Sequence, residues 1–222
     1  MSGRLITLEG GEGAGKSTVL AAVRERLEHH GIGVDVTREP GGTPFGEAVR
    51  KLVLDPTQRD VCAESELLLM FAARAQLVRE RIEPALAAGH WVLSDRYTDA
   101  SYAYQGGGRG QPIERIADLE RWAAPIVPGL TLLLDLPIEQ GLARARARAT
   151  APSAPFDRGP ALDRIESEPD AFFERVRAAY RARAAADPAR FRVIDASRPV
   201  DEVRAAAVAE IDRSVAAVRA GA

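Results

Sequence analysis

The stretch TLEGGEGAGKST, Thr7–Thr18, decides how the rest of the chain is read. Of the 30 basic residues only Lys16 and Lys51 are lysine; the others are all arginine. Arginine presents a flat fork of donors, whereas lysine is a compact charge on a flexible stem. A lysine at position 16 therefore marks a place that needs the compact charge. The spacing Gly10-x4-Gly15-Lys16-Ser17 is that of a phosphate-binding loop. Backbone N–H groups of such a loop converge on phosphate oxygens at the positive end of the following helix. Leu5–Leu8 predicts a buried strand before the loop and Val19–Leu27 an amphipathic helix after it, the order the function requires. Gly10, Gly11, Glu12, Gly13, Ala14, Gly15, Lys16, Ser17 and Thr18 are the expected nucleotide-binding residues. Lys16 is expected to reach the β- and γ-phosphates of ATP, and the Ser17 hydroxyl to hold Mg²⁺.

Composition limits the alternatives. The 222 residues suit one domain, and 46% apolar with 28% charged residues is ordinary for a globular protein. A net charge of −2 argues against a large nucleic-acid footprint. No apolar run reaches membrane-spanning length and the first strand leaves no room for a leader, so a cytoplasmic protein is expected. Cys62, the one cysteine, has no internal disulfide partner and is expected to be a buried small residue in place of a reactive thiol. His29, His30 and His90 show no ligand spacing and are given no role.

Short apolar runs alternate with helical patterns. Strands are expected at Leu5–Leu8, Val34–Thr37, Trp91–Ser94, Leu130–Leu134 and Phe191–Ile194. The intervening helices are expected at Ser17–His30, Gly46–Leu54, Ser65–Ala88, Ile113–Ala123, Ile138–Arg148, Pro169–Ala186 and Val200–Val218. This pattern predicts an α/β protein: a five-stranded parallel sheet flanked by helices on both faces, with ligands at the carboxyl ends of the strands. Ala149–Ala161 (ATAPSAPFDRGPA) is long for a connection and is either a mobile lid or a surface insertion.

Other residues carry chemistry. WVLSDRY, Trp91–Tyr97, ends a strand in Asp95, which either holds Mg²⁺ through water or caps the next helix. Arg96 brings a cation to the same mouth, where a hydrolase would place a water-activating acid. Arg74 interrupts the apolar stripe of Leu67, Met70, Phe71, Leu77 and Val78, so it either pairs with a carboxylate or donates to a flat heterocyclic base. Arg144, Arg146 and Arg148 form either a solvated helix face or a cationic cover for a triphosphate. REPGGTP, Arg38–Pro44, sits at the same carboxyl edge, and YQGGGRG, Tyr104–Gly110, reads as a flexible connection.

In order along the chain, LEGGEGAGKST, TREPGGTP, DRY with AYQGGGRG, RARAR and LDRIE resemble the thymidylate kinases, and the resemblance covers essentially the whole chain. It implies a P-loop kinase fold with a lid at about 144–164, transfer of a phosphoryl group from MgATP to dTMP, and a homodimer. It also implies residue roles. Glu12 reaches the acceptor's 3′-hydroxyl; Arg38, Arg50 and Arg96 grip its phosphate; Arg74 and Ser101 meet thymine; Tyr104 crowds the 2′ position. Pro40, after a cis Glu39–Pro40 bond, and Gln105 complete the acceptor side. Ser197 and Arg198, in DASRP, pack on the donor adenine. Gly13 stands where some members carry a basic residue, so the catalytic cations are expected from Arg144, Arg146 and Arg148, as in the enterobacterial type. Either Met70 or Phe71 covers the base, and the longer segment after Arg148 leaves Arg158 without an assigned role. A kinase for dUMP or dGMP, a nucleotide-dependent switch and a hydrolytic ATPase are the alternatives.

Overall fold

The computed structural model describes residues 3–58, 60–149 and 163–221, with the backbone alone for residues 148 and 149. Along the chain run β1 (Leu5–Gly10), α1 (Lys16–His29), β2 (Val34–Arg38), α2 (Pro44–Leu54), α3 (Ala63–Leu77) and α4 (Glu83–Ala87). There follow β3 (Trp91–Asp95), α5 (Thr98–Ser101), α6 (Ile113–Ala123), β4 (Leu130–Asp135), α7 (Ile138–Ala149), α8 (Asp170–Ala186), β5 (Phe191–Asp195) and α9 (Val200–Ala220). The strands form one parallel sheet in the order β2-β3-β1-β4-β5. All the expected strands are present. The lid expected at 144–164 falls mostly on residues 150–162, outside the described residues, as do Arg158 and the Arg148 side chain.

Parallel strands joined by crossover helices are covered on both faces, which explains their continuous apolar runs. On one face Ile6, Leu8, Leu93, Leu132 and Leu134 pack against Val19, Val23 and Leu27 of α1 and Val203, Ala207 and Ile211 of α9. An ionic clamp locks these helices together: Asp212 accepts from Arg26 at 2.7 and 2.9 Å and pairs with His30 at 2.6 Å. On the other face Leu133 and Phe191 meet Phe172, Phe173, Val176 and Tyr180 of α8. Side chains alternate along a strand, so Glu9 shares this second face with Leu5 and Thr7.

Three expectations need correction. Tyr102–Gly108 is no flexible connection but a buried, wide helical turn of the i→i+5 type. A Cβ on Gly107 would lie 2.7 Å from the Ala179 Cβ and 2.9 Å from the Arg175 carbonyl oxygen of α8. The glycines serve here by absence of bulk: α8 lies directly on their backbone, and Arg175 donates to the Gly107 and Gly108 carbonyls at 3.3 and 2.9 Å. The expected helix Ser65–Ala88 is continuous, but Val78–Ile82 between α3 and α4 is a widened turn. Pro84, just beyond it, has no N–H to return to the preceding turn. Cys62 is exposed, because it sits where the chain turns into α3, with its Sγ 3.1 Å from the Ser65 Oγ.

Gly107→Ala is expected to destabilise the fold by about 1–3 kcal/mol through overpacking against α8; urea denaturation midpoints of the two proteins measure it.

Candidate functional site

The loop between β1 and α1 is shaped by a backbone contact. Gly13 has φ 72°, and a Cβ there would run into the carbonyl oxygen of Gly141 in α7. Conversely, a Cβ on Gly141 would strike the Glu12 carbonyl oxygen. The phosphate loop thus rests on the root of the helix that carries the arginine row. Lys16 folds back over the loop, its Nζ donating to the carbonyls of Gly10 and Gly11 at 3.2 Å each. Burial lowers the pKa of this ammonium, and the charge of Arg96 adds to the effect. Ser17 and Thr18 lie exposed in the first turn of α1. Ala14 is buried in the core beneath the loop.

Arg96 is held on all sides. It is the only non-glycine residue with positive φ among the described residues, at 72°, a conformation that costs of order 1–3 kcal/mol. Its Nη1 donates to the Gly10 carbonyl at 2.8 Å and the Tyr180 hydroxyl at 3.2 Å, and its Nη2 to Glu12 at 2.7 Å. The Tyr104 hydroxyl donates to the same Glu12 oxygen at 2.9 Å, and the guanidinium lies 4.8 Å from the centre of the Tyr104 ring. Asp95 caps nothing, since α5 begins at Thr98 with Tyr97 in the capping position. One Asp95 carboxylate oxygen, Oδ1, is buried with no hydrogen-bond partner among the described residues.

Farther from the loop, Arg38 pairs with Glu47 at 2.8 Å and Arg50 donates to the Pro40 carbonyl at 3.0 Å. Burial lowers the Arg50 pKa first, then the charge of Arg38, with Arg96 adding to it. The Glu39–Pro40 bond is cis. Arg74 is 3% exposed and pairs with a carboxylate: its Nε donates to Glu39 at 2.6 Å. Its other nitrogens reach the Ser101 hydroxyl at 3.0 Å and the Tyr97 carbonyl at 3.1 Å. Phe71 and Met70 are separated by the turn of α3. Phe71 lies under the Arg74 guanidinium in a cluster with Tyr102 and Ile116, whereas Met70, half-buried, packs against the separate cluster that holds Tyr104 and Phe172. Gln105 donates to Glu66 at 3.0 Å, and its carbonyl oxygen is buried without a partner among the described residues.

The arginine row splits. Arg144 donates to the Ala196 carbonyl after β5 at 2.9 Å, while Arg146 is exposed, 3.8 Å from Asp170. Ser197 bonds to Asp195 through its amide, and Arg198 pairs with Glu202 at 2.9 Å. Where the chain re-enters after residue 162, Arg164 donates to the Val53 carbonyl at 2.8 Å and to Glu66 at 2.6 Å.

Sequence reasoning missed Glu9 and Tyr180. Glu9 is fully buried, accepting from the Tyr97 amide at 2.8 Å and the Tyr180 hydroxyl at 2.7 Å. The available signal was its place in LITLEG, where an acid shares a strand face with Leu5. Burial, reinforced by the negative charge of Asp99, pushes its pKa from the ordinary 4.5 to about 8. The folded state then binds a proton that the unfolded chain has released, so this contribution is complete below pH 4.5 and is lost as pH rises toward 8. Glu9→Gln removes the titration. The melting temperature of the wild type is expected to fall relative to that of the variant between pH 5 and pH 8, as measured by calorimetry across that range.

With this geometry, a family model for thymidylate kinase matches residues 8–207. A thymidylate kinase of Ectopseudomonas mendocina is 53% identical over 206 residues, which span 92% of this chain and 93% of that protein. One from Alkalilimnicola ehrlichii is 53% identical over 202 residues, 90% of this chain and 88% of that protein. Among solved structures, the thymidylate kinase from Ehrlichia chaffeensis superposes with a TM-score of 0.73 at 26% identity, covering 96% of this chain and 99% of that one. The fold is that of the P-loop kinases. The chain belongs to the thymidylate kinase family.

Proposed function

We infer that this chain transfers the γ-phosphoryl group of ATP to the phosphate of dTMP, giving dTDP and ADP, the reaction for which its family is named. The observation that carries the residue-level reading is a gathering of cations. Arg96 bears on both Lys16 and Arg50, and Arg50 also feels Arg38. Like charges held this way suit a chain of phosphates: Lys16 and the loop amides at the donor end, Arg38 and Arg50 at the acceptor end, and Arg96 between them. The acceptor phosphate is the nucleophile. Its second pKa is near ~6, so it is largely a dianion at neutral pH and needs no protein base. Catalysis is then positioning plus neutralisation of the charge spread over the transferring group.

Arg74, Ser101 and the unpartnered Gln105 carbonyl form the polar edge of the base pocket in this reading, with Met70 covering the ring and Tyr104 and Glu12 beside the sugar. Pro40 lends its carbonyl to Arg50. Arg144, Arg146 and Arg148 close over the donor, and Ser197 and Arg198 flank its adenine. Ser17 and Asp95 fit an Mg²⁺ ion, because the buried Asp95 oxygen is otherwise unpartnered. When bound, the ion would offset part of the donor's negative charge. No group of three or more His, Cys, Asp or Glu side chains able to hold a metal occurs among the described residues, which suits an ion that arrives on phosphates. The chain works as a single domain with a lid at about 144–164. No described helix is long and apolar enough to cross a membrane, and a cytoplasmic enzyme follows in this reading. Exposed Phe45, Leu68, Ile113 and Trp122, on the adjoining helices α2, α3 and α6, support a homodimer.

The test is ADP formation from MgATP with dTMP, dUMP, dGMP, AMP or no acceptor. Strong dependence on dTMP is expected; ADP released regardless of acceptor would overturn the reading. Lys16→Ala is expected to lower kcat by roughly 10²–10³-fold with the fold intact, measured by the same assay beside a circular dichroism spectrum.

A further inference from the structure

We propose that Glu9 is a positioning residue that sets the Arg96 guanidinium, acting through the Tyr180 hydroxyl and the Tyr97 amide. The proposal rests on the reading that Arg96 contacts the acceptor phosphate. Glu9 is the penultimate residue of β1, just ahead of the glycine that opens the phosphate loop, and is fully buried. Both of its oxygens serve the turn that carries Arg96. Oε1 accepts the amide of Tyr97, the next residue along, at 2.8 Å. Oε2 accepts the Tyr180 hydroxyl at 2.7 Å, and that hydroxyl accepts Arg96 Nη1 at 3.2 Å. Arg96 is thus braced from below by its neighbour's amide and from the side by a tyrosine, while its backbone holds a conformation side chains rarely adopt.

A carboxyl here is costly by itself, and an apolar residue of similar size would fill the space more cheaply. Its presence is explained by two donors that need an acceptor at one point. Tyr180 is fixed in turn, buried in α8 with its ring edge-on to Tyr104 at 6.2 Å. Tyr104 and Arg96 share the Glu12 carboxylate. The chain Glu9, Tyr180, Arg96, Glu12, Tyr104 therefore joins the floor of the sheet to the acceptor side of the site. Arg96 is anchored to the Gly10 carbonyl by the same nitrogen that reaches Tyr180. Loss of the Tyr180 hydroxyl leaves that nitrogen on the Gly10 carbonyl alone, so the guanidinium loses its lateral brace while the loop contact stays in place.

The experiment compares the affinity of dTMP with that of thymidine, which lacks the phosphate, by calorimetry on wild type, Tyr180→Phe, Glu9→Gln, Glu9→Ala and Arg96→Ala. Tyr180→Phe is expected to weaken dTMP about tenfold while leaving thymidine and the KM for ATP unchanged. Glu9→Ala is expected to do the same, and Glu9→Gln to recover only part of the loss, since its amide oxygen still takes the Tyr97 N–H but its NH2 cannot accept the Tyr180 hydroxyl. In an Arg96→Ala background Tyr180→Phe is expected to add nothing, because both changes remove one interaction. If Arg96→Ala weakens dTMP but Tyr180→Phe does not, or if the two losses add, the positioning role is overturned. Equal losses for dTMP and thymidine in Tyr180→Phe would also overturn it, since that marks a general loosening of the pocket. Unchanged dTMP affinity in Arg96→Ala would instead remove Arg96 from the phosphate, and the role of Glu9 with it.

Discussion

Cations of like sign repel, and here Arg96 bears on both Lys16 and Arg50, and Arg38 on Arg50. Two unit charges 4 Å apart at an effective dielectric of 20 repel by about 4 kcal/mol, so the arrangement stands only if other groups hold each cation. Backbone carbonyls do much of this: those of Gly10 and Gly11 for Lys16, Gly10 for Arg96 and Pro40 for Arg50. Glu12 and Glu47 hold Arg96 and Arg38. These partners are weaker acceptors than phosphate or are placed at the rim.

Rigidity behind the site comes from close backbone approach. Gly13 and Gly141 bring the phosphate loop against α7, and Gly107 and Gly108 bring the turn before α6 against α8. Helix α8 thereby touches both the core face of the sheet and, through Tyr180, the Arg96 guanidinium. Glu66 adds a second tie, accepting from Gln105, Arg109 and Arg164 at once. Arg164, just after residue 162, is thus fastened to the same carboxylate as Gln105.

The strands and the phosphate loop were legible because their signals are local. Apolar runs and fixed glycine spacing need no tertiary information. The arginine at 74 was legible as a charge that needed a partner, but Glu39 lies 35 positions away, and nothing local joins them. Glu9 was missed because an acid close to the end of a strand reads as the start of the loop, and its partners come from the turn after β3 and from α8. The glycines of Tyr104–Gly110 were misread because sequence shows that a residue has no side chain, not whether that serves motion or contact. Here a neighbouring helix, whose Arg175 lies 68 positions from Gly107, decides for contact.

The packing of Gly13 on Gly141 constrains how such an enzyme can change over generations. A basic side chain at position 13 would need both a different backbone conformation and room now filled by the α7 carbonyl. Placing a basic residue in the loop at position 13 therefore cannot proceed by one substitution at a time, since the first step breaks the contact before the second can profit from it. The two arrangements are separated by an epistatic valley, and lineages are expected to keep whichever one they inherited.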